Sequence, residues 1–293
     1  PTLREVATRL LQIPWDYKDE IRDDLRVFYH ETTLRKLMAL RKYFVGKKEN
    51  GPLDKTDSWI QMVSLNRLTG HSPGFFSVYT LPPNQAVSVV SQIKINEKRN
   101  QVPPVRDVEQ IILKKTKQLL NDLSLEEIVN LKKASGGHFL LNQNCAQTGQ
   151  IPPDSVSLVV TSPPFLDVVD YATDNWLRCW FLGIDAKEIE ITILKKLEKW
   201  QEAMSKVFRE LSRILKPGGH VAFEVGEVRN GKIKLEETIV PCGQQAGLEC
   251  VAIMINAQEF TKTANCWGVD NNTKGTNTNR ILIFRKPDEG RIV

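Results

Sequence analysis

The stretch Val159-Val160-Thr161-Ser162-Pro163-Pro164-Phe165 constrains this chain more than any other. Apolar residues from Val156 to Val160, broken only by Ser157, predict a short buried strand. A proline pair cannot continue a ladder, because proline has no N–H to donate. The strand therefore ends at Thr161, and Ser162 to Phe165 stand at its carboxyl edge. In an open α/β sheet that edge is where ligands bind. The two prolines hold the loop extended and remove two donors, which leaves the carbonyls of Ser162 and Pro163 as outward acceptors. Phe165 follows at once. Acceptors beside an aromatic ring suit a planar base with an exocyclic amine: the ring stacks on one face and the acceptors meet the amine along the edge.

With 293 residues the chain has room for one large or two modest domains. A hydrophobic content of 41% and a charged content of 26% place it among ordinary globular proteins. The net charge of +5 and a pI near 8.9 permit a polyanionic partner and equally suit a mildly basic protein without one. Five cysteines, Cys145, Cys179, Cys242, Cys250 and Cys266, are odd in number and lack C-x-x-C spacing, which argues against a disulfide framework and a zinc site. Neither a membrane-length apolar run nor a signal-peptide core is present, so a cytoplasmic location is expected. Thr2 and Glu5 form a capping box ahead of Leu3, Val6 and Leu10, so the chain starts inside an organised helix and reads as a fragment or processed product.

Residues 1–133 read as mainly helical. Helices are predicted from Thr2 to about Ile13, from Thr33 to Phe44 with Gly46 as the stop, from Asp57 to Leu68 ending at Gly70, and from Asp107 to Leu120. Lys114, Lys115 and Lys117 lie on the outer side of the last helix, as a solvated face or as phosphate contacts. Between these helices, Gly70-His71-Ser72-Pro73-Gly74 precedes the aromatic stretch Phe75 to Thr80, which Pro82-Pro83 stops. Asn, Gln, His and aromatic side chains of this kind read base edges or line a strand channel, and His71 is alternatively a turn residue bonded to the backbone.

From Gly136 the pattern becomes α/β. His138-Phe139-Leu140-Leu141 predicts a short strand, followed by a polar turn at Asn142 to Cys145. After the Val156–Thr161 strand come a helix from about Thr192 to Leu215, the Lys216-Pro217-Gly218-Gly219 turn, a strand from His220 to Val225, and a helix from about Leu235 to Ala246. Strands at Cys250–Ile255 and Arg280–Phe284 end the pattern.

Thr161-Ser162-Pro163-Pro164-Phe165 resembles the catalytic motif of the S-adenosylmethionine-dependent DNA amino-methyltransferases, the N4-cytosine and N6-adenine family. Its serine is similar to the N4-cytosine branch, since the adenine enzymes usually carry Asp or Asn there. The segment Leu166 to Arg178 resembles the one that follows the motif in one group of these enzymes. Leu65 to Pro83 resembles the same group, as does Tyr79-Thr80-Leu81-Pro82-Pro83-Asn84-Gln85. The order of strands and helices from residue 134 is similar to the later part of a class I methyltransferase core.

The resemblance implies a Rossmann-like α/β class I methyltransferase core over residues 134–293, incomplete at its N-terminus, with a mainly helical, DNA-contacting insertion region at 1–133. The family's Gly-rich cofactor loop of the Asp-Pro-Phe-x-Gly-x-Gly type has no counterpart here. The glycine clusters at 70–74, 136–137 and 218–219 do not follow a strand and open a helix. A missing N-terminal segment or subunit that carries the loop is therefore expected. The implied reaction moves a methyl group from S-adenosylmethionine to the N4 amine of a flipped cytosine in double-stranded DNA, by direct attack, as in a restriction–modification system. Ser162 and Pro163 are the expected acceptors for the amine, Pro164 completes the catalytic loop, and Phe165 stacks on the base.

Asp167, Asp170 and Tyr171 are expected to line the pocket, with Asp170 alternatively a helix cap, and His71 and Tyr79 are expected to contact the substrate. Asn144, Thr161, Glu224 and Gly226 are placed near the cofactor, Asn144 where the resemblance usually has an acidic residue. Glu224 is alternatively half of a structural salt bridge. Trp176 and Trp180, four apart on a helix, read as core packing. Pro241-Cys242 resembles the nucleophile of 5-methylcytosine enzymes, but inside a helix it reads as a small buried cysteine. The competing readings are N6-adenine methylation, an RNA or protein amine methyltransferase, and a non-catalytic DNA-binding remnant.

Overall fold

The computed structural model describes residues 1–80, 87–164, 166, 171–189, 194, 196–228, 233–257 and 278–288. The chain divides into two compact units. The first takes Pro1–His138 and Tyr171–Glu190, and the second takes Phe139–Asp170 and Ile191–Val293. A boundary after residue 133 assigned 171–190 to the later region, whereas the structure packs that segment into the first unit.

The first unit is helical because its apolar residues recur at helical spacing and its helices carry side-chain caps. Helix α1 (Leu3–Gln12) opens with the Thr2/Glu5 capping box and buries Val6 and Leu10. Helix α2 spans Glu31–Glu49 and runs straight through Gly46, where a stop was expected. One glycine costs a helix only about 1 kcal/mol, and Asn50 Nδ2 donates back to the Gly46 carbonyl at 2.8 Å across the added turn. The helix ends instead at Asn50, followed by Gly51 at φ +133°. Helix α3 (Lys55–Leu65) is capped by the Asp54 side chain and stops short of the predicted Leu68. Helices α4 (Val89–Arg99) and α5 (Val108–Asn121) start on Ser88 and Asp107 caps. Helix α6 (Leu125–Ser135) buries no residue.

Helix α7 (Tyr171–Leu182) buries Leu177, Trp180 and Phe181 in the same core as Phe28, Phe44 and Ile60. Trp176 packs on Phe28 with ring centroids 5.9 Å apart, so both tryptophans serve packing as predicted. Asp57 is buried and is held by Arg9 at 2.5 Å and by the Tyr43 hydroxyl at 3.0 Å, the pairing a buried carboxylate requires.

Among the described residues the second unit is a mixed sheet with two helices. Strand β1 (Val156–Thr161) pairs parallel with β2 (Leu215–Val228), and helix α8 (Leu197–Ile214) lies between them in sequence. The short β3 (Ile233–Lys234) pairs with β2 and leads into α9 (Leu235–Gln245), after which come β4 (Glu249–Ala257) and β5 (Thr278–Arg285). The order is β1-β2-β5-β4, with β5 antiparallel to both neighbours.

Helices α8 and α9 share one core with the sheet face that bears Val221, Phe223, Val225, Leu282 and Phe284. Phe208 stacks on Phe223 at 4.9 Å and meets Phe284 edge-on at 5.0 Å. The register places Val160, Ala222 and Ile283 together on the other face. That face is open among the described residues: Leu158 is 59% and Val160 74% exposed. The strand expected to be buried is thus an edge strand covered on one side only.

Two further expectations fail in this unit. Residues 138–141 form no strand; Phe139 and Leu140 are exposed, and without a ladder partner an apolar run has no hydrogen bonds to offset its ordering cost. Strand β2 begins at Leu215 instead of His220, because Gly218 at φ +75° turns the backbone so that its N–H reaches the Lys286 carbonyl at 2.9 Å. Cys242 is buried, with its thiol against the Thr238 carbonyl, and burial raises its pKa, as befits an inert packing cysteine. Among the described residues no helix is long and apolar enough to cross a membrane.

Candidate active site

The sheet brings the predicted catalytic loop and part of the predicted cofactor set to one edge. Thr161 pairs with Phe223 across parallel strands, so Glu224 and Gly226 continue along β2 beyond the end of β1. Ser162, Pro163 and Pro164 leave β1 at that edge. Ser162 is exposed and the prolines are half-buried. Among the described residues none donates a hydrogen bond to the Pro163 carbonyl and none bonds the Ser162 hydroxyl.

Pro164 differs from its neighbours. Its carbonyl accepts a hydrogen bond from the indole N–H of Trp200 at 3.0 Å, and Trp200 is fully buried near the start of α8. Two residues on, Leu166 is fully buried in the same core. The loop is therefore pinned at 164 and 166, while Ser162 and Pro163 stay open. Sequence reasoning missed Trp200. The available signal was an indole on the apolar face of an amphipathic helix, since a buried Trp N–H needs an acceptor.

Glu224 is half-exposed, and no described residue forms an ion pair with it, so the salt-bridge alternative finds no support among the described residues. Gly226 is buried. Asn144 sits in an exposed turn before β1, not on a strand; its Oδ1 accepts from the Ala146 N–H at 2.9 Å, and its amide nitrogen remains available. Phe165, Asp167 and Asp170 lie outside the described residues. Tyr171 is half-buried at the start of α7, within the first unit.

His71 and Tyr79 also belong to the first unit, and the structure brings them together with ring centroids 5.2 Å apart. His71 Nδ1 lies 3.2 Å from the Thr80 carbonyl. A carbonyl only accepts, so Nδ1 carries a proton in this contact. The backbone-bonded turn histidine is thus also a stacked one. Arg99, not anticipated from sequence, places its guanidinium 3.7 Å from the Tyr79 ring centre.

No protein-family model matches the chain, and no curated protein matches it. Among solved structures, it is similar to a candidate DNA modification methylase of Thermus thermophilus, with 24% identity over 51% of this chain and 53% of that one and a TM-score of 0.32. The complex of the Thermus protein with S-adenosyl-L-methionine matches at 22% identity over 51% and 54%, with a TM-score of 0.32. An S-adenosylmethionine-dependent methyltransferase of Methanosarcina mazei matches at 14% identity over 57% and 81%, with a TM-score of 0.30. The chain spans about half the length of the Thermus protein.

Proposed function

We propose that this chain carries the base-binding half of a DNA amino-methyltransferase that acts on the N4 amine of cytosine. One observation carries the reading: the Pro164 carbonyl is taken up by Trp200, while the Ser162 hydroxyl and the Pro163 carbonyl are left open at the carboxyl edge of two parallel strands. The lone pair of an exocyclic amine is delocalised into its ring. A site that holds the amine in line and accepts its hydrogens as the nitrogen becomes tetrahedral therefore lowers the barrier. Ser162 and Pro163 are those acceptors. The β1 ladder at Thr161 on one side and the Trp200 bond to Pro164 on the other fix them before the base arrives, so little reorganisation is left for the reaction. In this reading Phe165 supplies the ring that stacks on the flipped cytosine.

The cofactor of this reading is S-adenosylmethionine, which supplies an electrophilic methyl group. In this proposal Asn144, through its amide nitrogen, and Glu224, whose carboxylate has no ion-pair partner among the described residues, hold its nucleoside part together with Thr161 and Gly226. They do not provide a glycine cradle for the remainder. Positive φ among the described glycines falls at Gly51, Gly183, Gly218 and Gly247, none at the carboxyl edge of β1 or β2. A Gly-rich segment or subunit outside the described residues completes the cradle in this proposal, and the open face at Leu158 and Val160 is consistent with an incomplete sheet. The first unit serves as the DNA-contacting part, and the enzyme works in the cytoplasm as the modification member of a restriction–modification system.

The test is to methylate a defined duplex with radiolabelled cofactor, using the chain supplemented with its cofactor-loop segment, and to digest the product to nucleosides. Label is expected in N4-methylcytosine. Label in N6-methyladenine alone overturns the cytosine assignment, and label in neither overturns the proposal.

A further inference from the structure

The loop Asn66–Thr80 in the first unit carries two aromatic–cation pairs on a backbone that is unusually well fixed. Arg67 lies over the Phe75 ring at 4.1 Å, and Arg99 lies over the Tyr79 ring at 3.7 Å, with His71 beside the same ring. Gly70 joins the two pairs. A Cβ there would stand 2.4 Å from the Phe75 ring, so only glycine lets that ring lie against the backbone. Gly70 also bridges to Tyr79, and its carbonyl accepts from the Thr80 N–H at 3.2 Å.

The Tyr79 carbonyl is held from beneath by two amides, Gln92 Nε2 at 3.1 Å and Gln101 Nε2 at 3.0 Å. Both amides also donate to Asn96 Oδ1, whose own amide reaches the Val27 carbonyl at 2.8 Å. Gln92 is fully buried. This network spends three amide side chains on the position of one backbone carbonyl, yet the tyrosine and histidine rings above it remain accessible: His71 and Arg99 are exposed and Tyr79 is half-exposed.

The charges point the same way. From Ser58 to Asn96 the sequence contains no Asp or Glu, and no described carboxylate pairs with Arg67 or Arg99. Arg67 Nε is buried without a hydrogen-bond partner, and burial lowers the pKa of its guanidinium. A half-buried cation without a counter-ion favours an anionic ligand. Arg99 covers one face of Tyr79, while the His71 ring beside it is exposed; an exposed ring next to such cations favours bases whose own faces are free, which duplex bases do not offer.

We infer that the Asn66–Thr80 loop, with Arg99, binds a short unpaired stretch of nucleic acid, with a base stacked on the His71–Tyr79 platform and a phosphate on Arg67. The site lies within the first unit and shares no residue with the Ser162 loop. It rests on the DNA-methylating reading only for the choice of DNA over another polyanion. In that reading the platform receives strand that is opened when the target base is extruded, and so favours the opened duplex.

The experiment is fluorescence anisotropy of the 293-residue chain with labelled oligo(dT) of about 12 nucleotides, in the absence of cofactor and over a series of salt concentrations. The single strand is expected to bind at least about tenfold tighter than a duplex of the same length. His71→Ala and Tyr79→Ala should each weaken binding about tenfold with an unchanged salt slope, as expected for the loss of one stacked base. Arg67→Ala should flatten the plot of log K against log salt by about 0.7, the loss of one phosphate contact. Should Tyr79→Ala fail to fold, His71→Ala and Arg99→Ala decide, since both side chains are exposed. Equal binding by wild type and the His71 and Arg99 variants, or preference for the duplex, overturns the inference. No methyl transfer enters this measurement. A chain that binds the strand through these residues but never methylates cytosine keeps this site and removes the catalytic reading; the opposite result does the reverse.

Discussion

The indole N–H of Trp200 donates to the Pro164 carbonyl at 3.0 Å, linking the start of α8 to the loop that ends β1. Trp200→Phe keeps most of the apolar contact and deletes the donor. The orphaned carbonyl should cost about 1–3 kcal/mol of stability, read by denaturant unfolding. In the complete enzyme the same change should lower turnover more than duplex affinity, because the acceptors at Ser162 and Pro163 lose their support from the next residue. An unchanged midpoint together with unchanged turnover would mean that the bond supports neither fold nor loop.

Gly243 in α9 presses on the ring of Phe284: a Cβ at that position would lie 2.2 Å from Phe284 Cε1. Because both residues are buried, the ring has little room to move. Gly243→Ala should therefore destabilise the second unit by about 1–3 kcal/mol through overpacking. Combining it with Phe284→Leu should recover part of the loss, and a double-mutant cycle in thermal unfolding measures the coupling.

Glu210 ties the segment before β1 to α8. It accepts from the Thr148 N–H at 2.7 Å and from Arg213 at 2.7 and 2.9 Å. The Arg213 guanidinium, aided by Thr148, holds its carboxyl down from the ordinary 4.5 to about 2, with partial burial opposing. A depressed folded pKa means that the contribution is complete above about 4.5 and is lost as pH falls through about 2. Glu210→Gln should therefore cost about 1.5–3 kcal/mol near neutrality. The gap to wild type should close as pH falls across that window, which unfolding midpoints from pH 7 downward would show.

The parts of this fold that could be read from sequence are those decided by neighbouring residues. The Thr2/Glu5 capping box sets the start of α1 in both readings, and the Pro163-Pro164 pair ends β1 at Thr161 as expected. What escaped was decided by distant partners. Gly46 looks like a helix stop, but α2 continues past it to Glu49, where the Asn50 amide donates back to the Gly46 carbonyl. Phe139 and Leu140 look like a strand, yet a strand needs a neighbour that local sequence cannot supply. The candidate site follows the same division. Ser162 and Pro163 are singled out by the proline pair and the family resemblance, whereas Trp200 and Arg99 reach their partners from 36 and 20 positions away, through contacts with no local signature.

In the proposed reaction the Ser162 hydroxyl accepts a hydrogen bond from the amine as the nitrogen becomes tetrahedral, and the decisive measurement is single-turnover methyl transfer by Ser162→Ala in the chain supplemented with its cofactor-loop segment. An interaction that strengthens only in the transition state leaves binding alone and slows chemistry. The account predicts a rate lower by about a hundredfold, on the order of 3 kcal/mol, with cofactor and duplex affinities essentially unchanged. A single-turnover rate equal to wild type would contradict it, and would make the Pro-Pro loop a structural turn.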